Sequence, residues 1–332
     1  MLGVIGAGRW GRNHVRNFAA LGVLSAICDS SREALEAAAG AFPGVTVYTD
    51  LDEVLSDPAV EAVVLATPAD LHFAQAEAAL TSGRHVLVEK PMTLSLGEAE
   101  ALDRAARQRG LVLMVGHLLE YHPAFARLRE LVSVGELGEV IRIDAHRLGL
   151  GTFRHRESVL WDFAPHDLSM ILRLLGETPE AVQAIGSSHV QPGLEDVVSA
   201  ALTFSGGAQA QLLLSWLHPF KEQRLVVVGR RKTAVFDDVV KEGKLVLYPT
   251  RIPWEVSQPV PAPGDPEMVP FAEAEPLRAE CEHFLHCVRT GERPLTDGAS
   301  GVQVARVLDS CERSLRSGGA RIELGADPTA SR

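Results

Sequence analysis

Cysteine is scarce: Cys28, Cys281, Cys287 and Cys311 are the only four in 332 residues, with no Cys-x-x-Cys pair and no metal-ligand spacing. That excludes a disulfide framework and a zinc ribbon; reduced core thiols and no metal site are the expectation. Long apolar runs are missing as well. None approaches the ~18–20 residues of a spanning helix, so no membrane partner is expected. Positive charge is in deficit, with 32 Lys and Arg against 43 Asp and Glu and a net charge of −11. A phosphate backbone needs a basic face, which argues against nucleic acid as a general partner. A strand beginning at Leu2 predicts no signal peptide, and together with the thiols it gives a cytoplasmic expectation. No internal repeat is present.

What the chain does have stands at its start. Leu2 to Ile5 form a short apolar strand that runs into Gly6-x-Gly8-x-x-Gly11, which opens a helix. The first glycine allows a tight turn, the second lets the backbone approach a pyrophosphate, and the third lets the helix pack close to the strand. Arg9 and Trp10 complete the loop. Asp29 ends the next apolar run, Val23 to Cys28, eighteen residues beyond Gly11, where a carboxylate accepts hydrogen bonds from a ribose 2′-hydroxyl. The alternative reading, an ordinary βα turn, lacks a reason for this spacing. NAD is therefore the expected cofactor, since a 2′-phosphate would meet the Asp29 charge.

Apolar strands continue at Val45–Tyr48, Val60–Ala66, His85–Glu89 and Leu111–Val115, with helical patterns at Arg32–Ala41, Leu51–Leu55, Leu71–Ser82 and Leu96–Arg109. This alternation predicts a parallel sheet covered on both faces, a doubly wound α/β domain. Two strand ends carry unusual residues: Thr67-Pro68 followed by His72, and Glu89-Lys90-Pro91. In such sheets ligands sit beyond the carboxyl ends of the strands, which puts Lys90 at the ligand edge. A solvated loop lysine is the competing reading. Thr67, Pro68, His72 and Glu89 are expected to shape the cofactor pocket.

These motifs at these separations resemble the glucose–fructose oxidoreductase / inositol dehydrogenase (Gfo/Idh/MocA) family. The likeness runs over nearly the whole chain. It departs at Val115-Gly116-His117-Leu118-Leu119-Glu120-Tyr121-His122-Pro123, where many members have an arginine-phenylalanine pair, so no role of that arginine is carried over. The resemblance implies a Rossmann NAD-binding domain over residues 1–118. A substrate-binding and oligomerisation domain is expected over 119–332, within which 249–276 form a proline-rich arm without regular structure. It also implies a homo-oligomer, a dimer or tetramer, joined through the outer face of the second domain's sheet.

The second domain reads as an open, mostly antiparallel sheet with helices on one face. Strands fall at Glu139–His146, Glu180–Ser187, Asp196–Phe204, Ala208–Trp216, Arg224–Gly229, Thr233–Asp237 and Lys244–Tyr248, with Gly206-Gly207 as a hairpin turn. Asp162 and His166, four apart, share a face if one helix holds both, and a carboxylate so placed orients an imidazole acting as general base. Pro165 suits that helix only in its first turn. A structural pair of His166 with Asp167 is the alternative; the resemblance selects Asp162 and His166, because the family's Asp-x-x-x-His motif lands there. Arg142, Arg147, Arg154 and Arg156 with His146 and His155 make a positive cluster in an acidic chain, matched to phosphate or carboxylate oxygens or else simply a solvated basic loop.

With the resemblance, the expected substrate set is Tyr121, Arg147, Arg154, Arg156, Asp162 and His166, and the expected catalytic set is Lys90, His166 and Asp162. The pattern is similar to the nucleotide-sugar branch, UDP-N-acetylglucosamine 3-dehydrogenases among them. It implies a small anionic substrate whose ring hydroxyl is oxidised by NAD. The competing readings are a dehydrogenase of uncharged sugars or polyols and a cofactor-binding regulator without turnover.

Overall fold

The computed structural model describes residues 1–151, 153–249, 254–255 and 258–325. Two compact units emerge, one made of residues 1–121 and 274–305, the other of 122–273 and 306–332. The second unit is not one uninterrupted segment, since residues 274–305 return to the first, where a helix packs its apolar stripe.

In the first unit six strands, β1 (Leu2–Ile5), β2 (Leu24–Cys28), β3 (Thr46–Tyr48), β4 (Ala62–Leu65), β5 (His85–Glu89) and β6 (Leu113–Gly116), pair in parallel in the order β3-β2-β1-β4-β5-β6. The order reverses at β1 and β4, and a ligand crevice opens where strand order reverses. The helices are α1 (Gly11–Ala20), α2 (Arg32–Ala41), α3 (Leu51–Ser56), α4 (Ala69–Thr81) and α5 (Leu96–Arg109). Ser31 caps α2 by accepting from Ala34 N, and Gly110 ends α5 in the left-handed conformation. Val63, Leu65, Val86 and Val88 face α4 and α5, while Val4, Ile27, Val64 and Leu87 face α1. On that second side α1 is joined by α8 (Pro276–Thr290), through Leu277, Cys281 and Phe284.

The second unit starts with α6 (Pro123–Ser133), β7 (Val140–Leu150) and α7 (Val159–Leu175). It continues through β8 (Ala181–Ser187), β9 (Val197–Thr203), β10 (Gln209–Ser215), β11 (Leu217–Gly229), β12 (Thr233–Asp237) and β13 (Leu245–Tyr248). Short strands β14 (Trp254–Glu255), β15 (Gln258–Pro259) and β16 (Glu267–Met268) follow; after α8 come α9 (Gly298–Arg316) and β17 (Ile322–Glu323). Nine strands form one sheet in the order β16-β13-β12-β11-β7-β10-β9-β8-β17. All neighbours are antiparallel except β7 and β10. The hairpin between β9 and β10 turns at Gly207, with φ +84°.

The proline-rich arm departs from the expectation. Its described part is not all irregular, since β16 pairs with β13 at the sheet edge and β14 pairs with β15. Residues 250–253 and 256–257 of that arm lie outside the described residues. Pro165 is a second departure. It sits inside α7 rather than in its first turn. Tight burial of Leu160, Ala164, Leu168, Ile171 and Leu172 outweighs the one missing backbone donor. Among the described residues no helix is long and apolar enough to cross a membrane.

Candidate active site

The glycine loop shows why each glycine stands where it does. Gly6 has φ +91°, and a Cβ there would lie 2.8 Å from the Ala66 carbonyl oxygen. A Cβ on Gly11 would strike the Gly6 carbonyl oxygen, so the start of α1 lies directly on the turn. A Cβ on Gly8 would meet nothing within 4 Å, which leaves room for a ligand against the backbone. The N-terminus of α1 carries no side-chain cap and no acidic residue in its first turn. The positive end of a helix beside an open glycine is a fit for a pyrophosphate. A cavity of about 540 Å³ opens next to the loop, lined by Ala7, Gly8, Arg12, Ser31, Ala34 and Phe42 among others. Arg9 and Trp10 are exposed on the loop.

Asp29 ends β2 and does two things. Its Oδ2 accepts from Ala7 N at 2.6 Å and its Oδ1 from Ser31 N at 2.8 Å. The carboxylate therefore fixes the glycine loop, and it stands half-buried. Arg32, next to it, is exposed at the start of α2.

Lys90 stands at the carboxyl end of β5, half-buried, joined to Pro91 by a cis peptide bond. His72, buried on α4, braces that turn: Nδ1 lies 2.8 Å from the Pro91 carbonyl oxygen and Nε2 lies 2.9 Å from that of Thr67. One ring thus links both unusual strand ends. Burial pushes the imidazolium form of His72 down, while the two carbonyls pull the other way. Thr67 donates from its hydroxyl to Gln75 Oε1 at 2.6 Å, and Pro68 precedes α4.

Glu89 corrects one expectation. It is not open to a cofactor but 9% exposed, and both oxygens are engaged by the protein. Oε1 accepts from Trp10 Nε1 and from His14 Nε2, the latter at 2.6 Å; Oε2 accepts from the Lys90 backbone N–H at 3.3 Å. Burial raises the Glu89 carboxyl, but those hydrogen bonds and the His14 and Lys90 charges bring it net below its ordinary value. His14 went unread in the sequence, although it falls three residues after Gly11, one turn into α1.

Tyr121 is a second correction. Thr296 Oγ1 donates to the Val115 carbonyl oxygen, so the Tyr121 hydroxyl, 3.0 Å from that same Oγ1, donates to it. The ring packs on His283 at 5.5 Å between centroids. Tyr121 is a packing residue of the first unit, and burial raises its phenol pKa.

In the second unit, α7 holds both Asp162 and His166. Asp162 is 5% exposed and His166 half-buried, one turn apart on one helix. Arg154 Nη2 donates to Asp162 Oδ1 at 3.2 Å, with Glu157 Oε1 3.7 Å from Arg154 Nε. Arg154 remains 46% exposed at its side chain, and Arg156 lies exposed on the same loop. Arg147 is a third correction. It is 5% exposed and grips Asp167 with two hydrogen bonds, Nε to Oδ2 at 3.0 Å and Nη2 to Oδ1 at 2.8 Å. Both groups are buried, so this pair holds α7 on β7 and commits one edge of the guanidinium to Asp167. It also gives Asp167 a partner other than His166. Arg142 points to the opposite face of β7, onto Asp144 and Gln211. Among the described residues, the one cluster of three potential metal ligands is His14, Glu89 and Glu280.

These features match known proteins. The NAD-binding Rossmann domain of the Gfo/Idh/MocA oxidoreductases matches residues 1–117, and the C-terminal domain of the same group matches 125–235. The UDP-N-acetylglucosamine 3-dehydrogenase of Acidithiobacillus ferrooxidans is 33% identical over 91% of this chain and 93% of its own. Its crystal structure superposes with a TM-score of 0.82, covering 96% of this chain and 98% of that one. The WlbA dehydrogenase of Bordetella pertussis, solved with NADH and UDP-GlcNAcA, is 25% identical at a TM-score of 0.80, with 98% and 99% covered. The scyllo-inositol 2-dehydrogenase (NAD(+)) of Bacillus subtilis is 26% identical over 95% of this chain and 94% of its own. This chain is therefore a member of the Gfo/Idh/MocA family, an NAD-binding oxidoreductase.

Proposed function

We propose that the protein oxidises a ring hydroxyl of a UDP-linked amino sugar to a ketone. The observation that carries this reading is the exposed pair Arg154 and Arg156, just ahead of the helix that bears His166, in a chain of net charge −11. Guanidinium forks recognise diphosphate oxygens, and an acidic protein retains such a pair against its overall charge for a local anion. The 33% identical relative acts on UDP-N-acetylglucosamine, which supports the same class here.

NAD, when bound, accepts the hydride from the sugar carbon. His166 takes the hydroxyl proton as general base. Asp162, anchored by Arg154, sets the charge and orientation around that imidazole. Lys90 places an ammonium at the reacting oxygen, where alkoxide charge develops. Arg9, Trp10, Thr67 and Pro68 line the cofactor, with Asp29 on its ribose. All four cysteines are free and buried, in keeping with a cytoplasmic enzyme, and the outer face of the nine-stranded sheet is the surface we assign to a dimer or tetramer.

The test is NAD reduction followed by absorbance with UDP-N-acetylglucosamine, other UDP-sugars, free N-acetylglucosamine and inositol. UDP-sugars should exceed free sugars at least a hundredfold in kcat/KM, since two charge-assisted contacts of about 1.5–3 kcal/mol each set the difference. Equal rates on free sugars or inositol would assign the uncharged-polyol reading. That alternative has one point in its favour, the engagement of Arg147 by Asp167, which commits one edge of a guanidinium expected to hold an anion.

A further inference from the structure

Glu280 lies on α8, 0% exposed, and among the described residues neither of its carboxylate oxygens has a hydrogen-bond partner. Ionised, it would be a buried charge with a second carboxylate beside it. One polar atom each of His14, Glu89 and Glu280 lie within 4.8 Å of one another. His14 Nε2 lies 2.6 Å from Glu89 Oε1, and its Nδ1 lies 3.9 Å from the Cys281 sulfur. Glu89 in turn receives Trp10 from the glycine loop and the Lys90 N–H from the strand end. It is the knot that ties the dinucleotide loop to the Lys90 turn.

We propose that Glu280 is a positioning residue of the cofactor site: it stays a neutral acid and donates a hydrogen bond, through one water, to Glu89. Its function for turnover rests on the dehydrogenase reading above; its protonation does not. A carboxylic acid O–H is the donor that such a buried carboxylate can accept without adding charge. The groups facing Glu280 agree. Glu89 repels a second negative charge; Tyr121 from the turn after β6 and Cys281 from its own helix are both neutral; His14 and Trp10 from α1 and its loop give their N–H groups to Glu89 rather than to Glu280. Lys90 offsets the charge of Glu89. Burial and Glu89 together push the Glu280 carboxyl well above the usual range.

The experiment compares wild type with Glu280→Gln, whose amide donates as the neutral acid does, and with Glu280→Leu, which cannot donate. Thermal midpoints are read from pH 6 to 9, and NAD affinity from quenching of tryptophan emission. Because wild type takes up a proton on folding, Glu280→Gln should gain midpoint over wild type progressively as pH rises. It should hold NAD within about twofold, whereas Glu280→Leu should weaken NAD about tenfold, the worth of one good hydrogen bond. Parallel midpoints across the pH range, or Glu280→Gln as weak for NAD as Glu280→Leu, would overturn the proposal by showing an ionised Glu280. A stoichiometric divalent ion in the purified protein that Glu280→Gln loses would overturn it too, in favour of a cation site. None of these readouts needs a sugar substrate, so they stand whether or not UDP-sugars are turned over.

Discussion

On β7 Ile143, Ala145 and Arg147 are buried on one face while Arg142, Asp144 and His146 face the other way, an alternation that ends at Leu148, which is buried as well. Strand parity alone thus separates Arg147 from its neighbours, and the sequence carried that information once β7 was read as a strand. A basic cluster counted without parity hides it. The consequence is testable. Arg147→Ala leaves Asp167 buried and unpaired, and should lower stability by about 3–5 kcal/mol in a denaturant titration. Arg154→Ala should cost less stability than Arg147→Ala, because the Arg154 side chain is 46% exposed and solvent screens its pairing with Asp162, yet raise KM for the UDP-sugar and, through Asp162, also lower kcat. Similar stability losses in both variants would contradict this division. His166→Ala should lower kcat by roughly 10²–10⁴-fold with NAD affinity intact, and near-full turnover would remove His166 as the base.

Asp29 shows the opposite case, where the sequence suggests one task and the folded loop adds another. The spacing from Gly11 marks a ribose partner; the bonds to Ala7 N and Ser31 N depend on the folded loop. Wild type should favour NAD over NADP by tenfold or more in kcat/KM, about 1.4 kcal/mol. Asp29→Asn should weaken that preference and also raise KM for NAD, because the loop loses its charged acceptor. Equal use of both cofactors by wild type would show that the carboxylate serves the loop alone.

At the scale of elements, β1, the glycine turn and α1 act as one device in which two glycines serve the fold and one serves the ligand. Gly11→Ala would drive a methyl into the Gly6 carbonyl oxygen and should cost stability as well as NAD binding. Gly8→Ala meets open space in the protein, so its thermal midpoint should stay within a degree or two while NAD affinity falls at least tenfold. If Gly8→Ala bound NAD normally, the pyrophosphate would not lie against that residue. Elements of this kind were legible: helices Arg32–Ala41 and Leu96–Arg109 and strands His85–Glu89 and Thr233–Asp237 fall at their expected bounds, set by caps and glycine or proline punctuation. Helix α7 was harder. Its buried face extends through Pro165, and burial of a whole turn outweighs a local rule about proline. The candidate site was legible where a motif forces geometry, as at Lys90 and His72. It was not where a residue acts from another segment: Glu280 is 191 positions from Glu89, and nothing local marks an acid destined for a helix packed on α1.

For the whole molecule, the ionisable groups set how stability depends on pH. Burial lowers the imidazolium form of His72, His85, His122 and His283 below the ordinary value of 6.5. Each is therefore neutral in the folded protein at a pH where the unfolded chain already binds a proton. The unfolded state holds more protons in that window, so stability rises with pH through it and is lost as pH falls from 6.5 toward the folded values. Each full unit of depression would contribute about 1.4 kcal/mol, and four groups move in the same direction. Glu280 moves the other way: its raised carboxyl binds a proton on folding above 4.5, which lowers stability progressively as pH rises. Glu89 and Glu222, both lowered, add a loss only below about pH 4.5. Thermal midpoints should accordingly fall between pH 6.5 and 5, well before carboxylates titrate. Glu280→Gln should leave that acidic limb intact while flattening the alkaline one. A wild-type midpoint unchanged between pH 7.5 and 5 would mean that the buried histidines keep their protons in the folded state. His72 would then donate to both the Pro91 and Thr67 carbonyls once the pH falls below about 6.5, and the Lys90 turn would rest there on an imidazolium rather than on a neutral ring.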